Sequence, residues 1–269
     1  MAFRPPQGTL GELVRAAMED VAMRKRERPG LVSEVARARP RPRGFLAALT
    51  DPERCGFALI CEVKRASPSA GTLRAAADAP SLARAFVEGG TRCVSVLTEG
   101  RRFGGSLQDL RAVREAVDVP LLRKDFMVDP YMAFEAAEAG ADCILLIAGA
   151  LEPSRMEEIA AAARELGLDI LIELANARDV PVIDAIDTPL VGVNARDLET
   201  LEVDAARFDR LAPSLRRPGR TLVAESGIRD AVDIRRVAEW GARAALVGES
   251  LMRSGDPVRA VRALVEAGA

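Results

Sequence analysis

The sequence predicts an α/β fold: a (β/α)8 barrel preceded by an extra N-terminal helical segment. Three observations carry this expectation. Short, β-rich apolar runs recur eight times, beginning 21 to 35 residues apart. Helical patterns of apolar spacing lie between consecutive runs, as parallel strands covered by helices require. No Pro/Gly/Ser-rich linker divides the 269 residues, a length that suits one large barrel with a sizeable core.

Residues 1–50 read as the N-terminal extension, packed on a barrel formed by residues 51–269 within a single domain. Leu10, Leu13, Val14, Ala17 and Val21 recur at helical spacing and predict a helix over Leu10–Arg28. The stretch Arg24–Arg43 holds eight basic residues interrupted by Pro29, Pro40 and Pro42, and is expected to be a solvated helix end and loop. The predicted strands are Phe57–Val63, Arg92–Leu97, Pro120–Arg123, Cys143–Ala148, Asp169–Leu174, Leu190–Asn194, Thr221–Glu225 and Ala244–Gly248. Helices are legible over Ser81–Glu88, ended by Gly89-Gly90, and over Ser106–Val117, with Leu107, Leu110, Val113 and Val117 on one face. Another runs from Pro130 to Ala139 before Gly140, and a fourth over Pro153–Leu166 before Gly167, an arrangement of proline at the start and glycine past the end. A doubly wound sheet is the alternative; eight regular units favour the closed TIM barrel.

Composition removes several classes of function. A net charge of −2 speaks against a nucleic-acid partner, whose binders are normally basic. The longest apolar run, Cys143–Leu151, has nine residues, whereas a membrane-spanning helix needs about 20. The opening Met-Ala-Phe-Arg-Pro-Pro-Gln lacks the apolar stretch of a secretory signal, so a soluble, cytoplasmic protein is expected, as a monomer or weak dimer. There is no histidine, which excludes histidine-based triads, acid/base work and metal ligation. Cys55, Cys61, Cys93 and Cys143 are scattered without zinc spacing and read as small buried hydrophobes of a reducing compartment.

The 38 basic residues divide into 35 arginines and three lysines, Lys25, Lys64 and Lys124. Arginine stays protonated at any working pH, whereas lysine can lose its proton, so a lysine surviving in this background points to work that guanidinium cannot do. Barrel enzymes react at the C-terminal ends of their strands. There the sequence places Glu62 and Lys64, on one face by alternation, together with Lys124, Glu173, Asn194, Arg196 and Glu225. An isolated strand-end charge is most simply an ion pair. Two lysines and three glutamates from four strands, all on one mouth, form a candidate reaction centre, because buried charges are costly unless paired or functional. After the seventh and eighth strands, Ser226-Gly227 and Gly248-Glu249 offer backbone N–H groups where such barrels often bind phosphate.

Taken in order, these residues resemble the indole-3-glycerol phosphate synthase family. The matching blocks are Glu62-Val-Lys64-Arg-Ala-Ser67-Pro-Ser69, Ser95-Val-Leu-Thr98, Leu122-Arg-Lys124-Asp125-Phe126, Ala141-Asp-Cys-Ile-Leu145-Leu-Ile, Ile172-Glu173, Asn194-Ala-Arg196-Asp-Leu198, Ala224-Glu225-Ser226-Gly227-Ile228 and Val247-Gly248-Glu249-Ser-Leu-Met. The resemblance implies cyclisation of 1-(2-carboxyphenylamino)-1-deoxyribulose 5-phosphate with loss of CO2 and water, in tryptophan biosynthesis, with no cofactor and no metal. It also implies that Lys124 is the general acid at the ribulose C2 carbonyl oxygen and Glu173 the base of the later dehydration. By the same carry-over Lys64 pairs with anionic substrate groups, with a second acid role open to it. Glu62, Asn194 and Glu225 position the lysines and the departing hydroxyl. Ser67, Phe126, Leu145, Arg196 and Leu198 line the pocket, and Ser226, Gly227, Gly248 and the Glu249 N–H hold the phosphate. A free lysine has a pKa of about 10.4. Burial of Lys124 beside Lys64 is expected to lower it.

The sequence departs from the family at Ala195, often Asn, at Ala175, commonly His or Thr, and at Met132, usually Gln. Alternative readings are phosphoribosylanthranilate isomerase, drawing on Cys61, and a class I aldolase with a Schiff-base lysine. A divergent paralogue in a specialised pathway and a non-catalytic phosphate-binding barrel are the others.

Overall fold

The computed structural model describes residues 3–38, 41–54, 56–74 and 77–268. Cys55 lies outside them. Eight parallel strands close into a barrel: β1 (Ala58–Val63), β2 (Cys93–Leu97), β3 (Leu121–Lys124), β4 (Cys143–Ile147), β5 (Asp169–Leu174), β6 (Leu190–Asn194), β7 (Thr221–Glu225) and β8 (Ala244–Val247), with β8 pairing back onto β1. Each predicted run yields a strand, displaced by at most one residue at either end. The connecting helices are α4 (Ala79–Glu88), α5 (Leu107–Ala116), α6 (Tyr131–Glu138), α7 (Pro153–Glu165), α8 (Val180–Ile186), α9 (Arg207–Leu215) and α10 (Ala231–Glu239), followed by α11 (Glu249–Arg253) and α12 (Pro257–Ala267). Local chemistry sets several of their starts. Asp78, Ser106, Asp230 and Asp256 accept from backbone N–H groups of the first turns of α4, α5, α10 and α12.

Before the barrel come α1 (Gly8–Glu27), α2 (Leu31–Ala38) and α3 (Phe45–Thr50). Helix α2 corrects the reading of Arg24–Arg43 as helix end and loop: Leu31 and Val35, one turn apart, are buried, and α2 packs against α6. The basic residues there are not simply solvated either. Arg24 meets Glu135 at 2.6 Å, Lys25 meets Asp129 at 3.0 Å, and Arg28 meets Glu138 at 2.9 Å, which ties α1 to α6 and its approach.

Helix α3 closes the N-terminal end of the barrel. Phe45 is fully buried, the Leu46 N–H donates to Asp169 at the start of β5 (2.9 Å), and the Arg43 N–H donates to Asp142 just before β4 (2.7 Å). With that end closed, the C-terminal mouth is where a cavity opens. Cys61, Cys93 and Cys143 are free and buried, and burial pushes the Cys61 thiol up to about 12. Among the described residues, no helix is long and apolar enough to cross a membrane.

Candidate active site

A cleft of about 980 Å³, counted to its open rim, occupies the C-terminal mouth. Strand alternation aims Glu62 and Lys64, Lys124, Glu173, Asn194 and Glu225 inward from β1, β3, β5, β6 and β7. Every residue named above for the site lines this cleft except Glu173, which lines a smaller adjoining cavity with Ala175 and Asn176.

Two lysine–carboxylate pairs dominate the floor. Lys124 Nζ donates to Glu173 Oε2 at 2.9 Å and lies 3.6 Å from Glu225 Oε2. Lys64 Nζ lies 2.6 Å from Glu62 Oε1. Asn194 donates from Nδ2 to Glu173 Oε1 (2.7 Å) and accepts the Arg196 N–H at Oδ1 (2.9 Å), so its amide orients the carboxylate rather than a lysine.

The electrostatics correct one expectation. Burial alone would lower the Lys124 pKa, but attraction to Glu173, Glu225 and Glu62 outweighs it and raises the value, so this lysine is an ammonium. Glu173, despite burial, is held below the usual range by Lys124 and by the Asn194 hydrogen bond, and is ionised. Burial and the negative charge of Glu173 push Glu225 well above that range, and among the described residues its Oε1 has no hydrogen-bond partner. Two adjoining carboxyls are thus pushed in opposite directions, downward for the one closer to the cation and upward for the other.

Two glycines make room for these carboxylates. A Cβ on Gly192 would sit 2.0 Å from Glu225 Oε1, and one on Gly248 would sit 2.6 Å from Glu62 Oε1. Beside Gly227 (φ 73°), Ser226 holds φ 62°, a left-handed backbone costly for a non-glycine residue and typical of ligand-clamping turns. Glu249 opens α11, and its side chain lies 3.7 Å from Arg196.

The sequence reading missed the apolar wall. Thr9 and Leu13 of α1 face the cleft, and so does Phe103, whose ring centroid is 6.1 Å from that of Phe126. Glu99 shapes the Phe103 loop by accepting the N–H groups of Arg101 (2.8 Å), Arg102 (2.7 Å) and Phe103 (2.9 Å). A signal existed: in a chain with 4% aromatic residues, Phe103 stands alone between Arg101-Arg102 and Gly104-Gly105. Cys61, by contrast, is fully buried and on the opposite face of β1 from Glu62, which leaves the isomerase reading without its cysteine.

Known proteins agree with this architecture. The family model for indole-3-glycerol phosphate synthase matches residues 10–264. The indole-3-glycerol phosphate synthase of Mycobacteroides abscessus is 48% identical over 237 residues, covering 88% of this chain and 86% of the relative. That of Mycobacterium avium is 47% identical over 267 residues, covering 98% and 96%. Among solved structures, 3-hexulose-6-phosphate synthase from Salmonella typhimurium superposes with a TM-score of 0.64 at 14% identity, covering 78% of this chain and 98% of that one, a likeness of fold alone. On its sequence blocks, its barrel and these relatives, the chain belongs to the indole-3-glycerol phosphate synthase family.

Proposed function

We propose that the protein converts 1-(2-carboxyphenylamino)-1-deoxyribulose 5-phosphate to indole-3-glycerol phosphate, releasing CO2 and water. The observation that carries this reading is the Lys124–Glu173 pair on the floor of the cleft, with a second pair, Lys64–Glu62, beside it. As the aromatic carbon bearing the carboxylate attacks the ribulose C2 carbonyl, negative charge grows on the carbonyl oxygen. The Lys124 ammonium stabilises that charge and supplies the proton that makes it a hydroxyl. A high lysine pKa is no obstacle, because an alkoxide is far more basic than an amine. Loss of CO2 then restores the aromatic ring. Departure of the new hydroxyl as water needs a base, for which the ionised Glu173 is poised, and an acid, a role open to Lys64.

Around this chemistry, Glu62, Asn194 and Glu225 position the two pairs. Ser67, Phe126, Leu145, Arg196 and Leu198 enclose the substrate, and the backbone at Ser226, Gly227, Gly248 and Glu249 takes the phosphate. The support is that all of these residues line the same cleft. One chain supplies every residue, so a monomer suffices for activity. The buried free thiols fit a reducing, cytoplasmic setting. Residues 1–50 and the barrel over 51–269 make one domain in this reading, joined by Arg24–Glu135 and by the burial of Phe45.

The test is an indole-fluorescence assay with the carboxyphenylamino-deoxyribulose phosphate, wild type beside Lys124→Ala. Turnover by the wild type that disappears in the variant is the expected result. Wild-type protein that binds the compound without forming indole product would instead mark a divergent barrel with another substrate.

A further inference from the structure

Along the barrel, the residue just before each inward-facing functional side chain points outward and is buried. At β1, β5, β6 and β7 that residue is apolar: Cys61, Ile172, Val193 and Ala224. At β3, before Lys124, it is Arg123, a guanidinium only 1% exposed. The chemistry derived so far makes no use of it. A buried arginine cluster is a weak device for stability, since well-packed apolar residues often serve as well.

The Arg123 contacts converge on the backbone that carries Lys124. From Nε it donates to Thr98 Oγ1 (3.2 Å), from Nη2 to Asp125 Oδ2 (3.0 Å), and from Nη1 to the Met132 carbonyl (2.8 Å) and Glu135 (3.3 Å). Thr98 Oγ1 in turn donates to Asp125 Oδ2 (2.5 Å). Asp125 Oδ1 accepts the Phe126 N–H (2.9 Å), and the Thr98 N–H donates to the Lys124 carbonyl (3.1 Å). Pairing of β2 with β3 ends at Leu97 and Lys124, so the ladder no longer holds the chain from Asp125 onward. The Arg123–Asp125–Thr98 cluster takes over there, gripping residues 124 to 126 by a carbonyl on one side and an N–H on the other. Glu135 is shared with the half-buried Arg24 of α1 (2.6 Å), so the row Arg24, Glu135, Arg123, Asp125 alternates in charge as it runs inward.

We propose that Arg123 is a positioning residue for the reaction, acting through Asp125 and Thr98 to fix where Lys124 and Phe126 stand in the cleft. The role rests on the reading of Lys124 as the acid. It operates by geometry: a displacement of about 1 Å at a reacting group can cost roughly a hundredfold in rate.

Arg123→Lys tests it, because lysine keeps the charge that the buried acids need but cannot bond four groups in a fixed fork. The expected result is a folded protein with kcat per folded molecule lowered about tenfold and KM little changed. Reduction of kcat by more than threefold supports positioning; a smaller reduction, whatever happens to Tm, overturns it. Should Arg123→Lys not fold, Thr98→Val decides by the same threshold, since it removes the bond to Asp125 and the bond from Arg123 Nε but no charge. Lys124→Ala, assayed alongside, isolates the premise. Turnover surviving in it removes Lys124 from the chemistry. An inert Lys124→Ala beside an unaffected Arg123→Lys overturns the positioning role alone.

Discussion

The Lys124 side chain has two properties that an arginine cannot share, a transferable proton and a compact head lodged between Glu173 and Glu225. Lys124→Arg therefore keeps the charge and loses the reaction. Its kcat should fall by at least about 100-fold, the usual weight of a general acid, in a protein that remains folded by circular dichroism. Gly192 is the silent partner of the same floor. In Gly192→Ala the new methyl occupies the place of Glu225 Oε1, and because Glu225 is itself buried the carboxyl must move. We expect kcat to drop about tenfold and stability to fall by about 1–3 kcal/mol, read from kinetics and thermal unfolding of one preparation. The sequence showed which residue types reach the mouth, since alternation and strand ends are local properties. It did not show which lysine pairs with which glutamate. That depends on how far apart β1, β3, β5 and β7 stand around a closed circumference, which brings Lys124 to Glu173 and leaves Lys64 with Glu62.

At the scale of elements, strands and helices such as α4, α5 and α7 were legible because their periods run for several residues between glycine and proline punctuation. Helix α2 was not, since two buried residues, Leu31 and Val35, make too short a pattern amid basic residues and prolines. The Phe103 wall escaped for another reason: its loop takes its shape from three N–H bonds to Glu99, which no periodicity announces. Helix α3 has a separate task at the far end of the barrel. Phe45→Ala should cost about 3–5 kcal/mol by emptying a fully buried site. Because that site is remote from the mouth, kcat measured well below the new Tm should stay near wild type. Loss of turnover in step with stability would mean that the closed end and the reaction centre are coupled.

For the molecule as a whole, pH acts through buried acids whose protonation differs between folded and unfolded chains. Asp179, between α7 and α8 and buried, has its pKa raised from 3.8 to about 6, chiefly by burial. Its unfolded form loses the proton near pH 4 and its folded form near pH 6. Across that window the native state binds more protons, so stability falls as pH rises and remains lower above it. Asp179→Asn removes the titration. Its stability gain, of order 1–3 kcal/mol in urea unfolding, should be present at pH 8 and absent at pH 3.5, where the wild-type carboxyl is neutral in both states. Glu225 contributes with the same sign and Glu173 with the opposite one, its stabilisation being lost as the solution is acidified below its depressed pKa.

The scarcity of lysine has a practical consequence. Lys64 and Lys124 keep only 17% and 14% of their side-chain surface, while Lys25 keeps 48%. An amine-directed acylating reagent therefore meets, in the native protein, one open side chain on the outside of the barrel and two set within the cleft. Tag counting by mass spectrometry becomes a direct gauge of cleft integrity. Acyl groups arriving at residues 64 and 124 report that the mouth has loosened, well before bulk unfolding would register it.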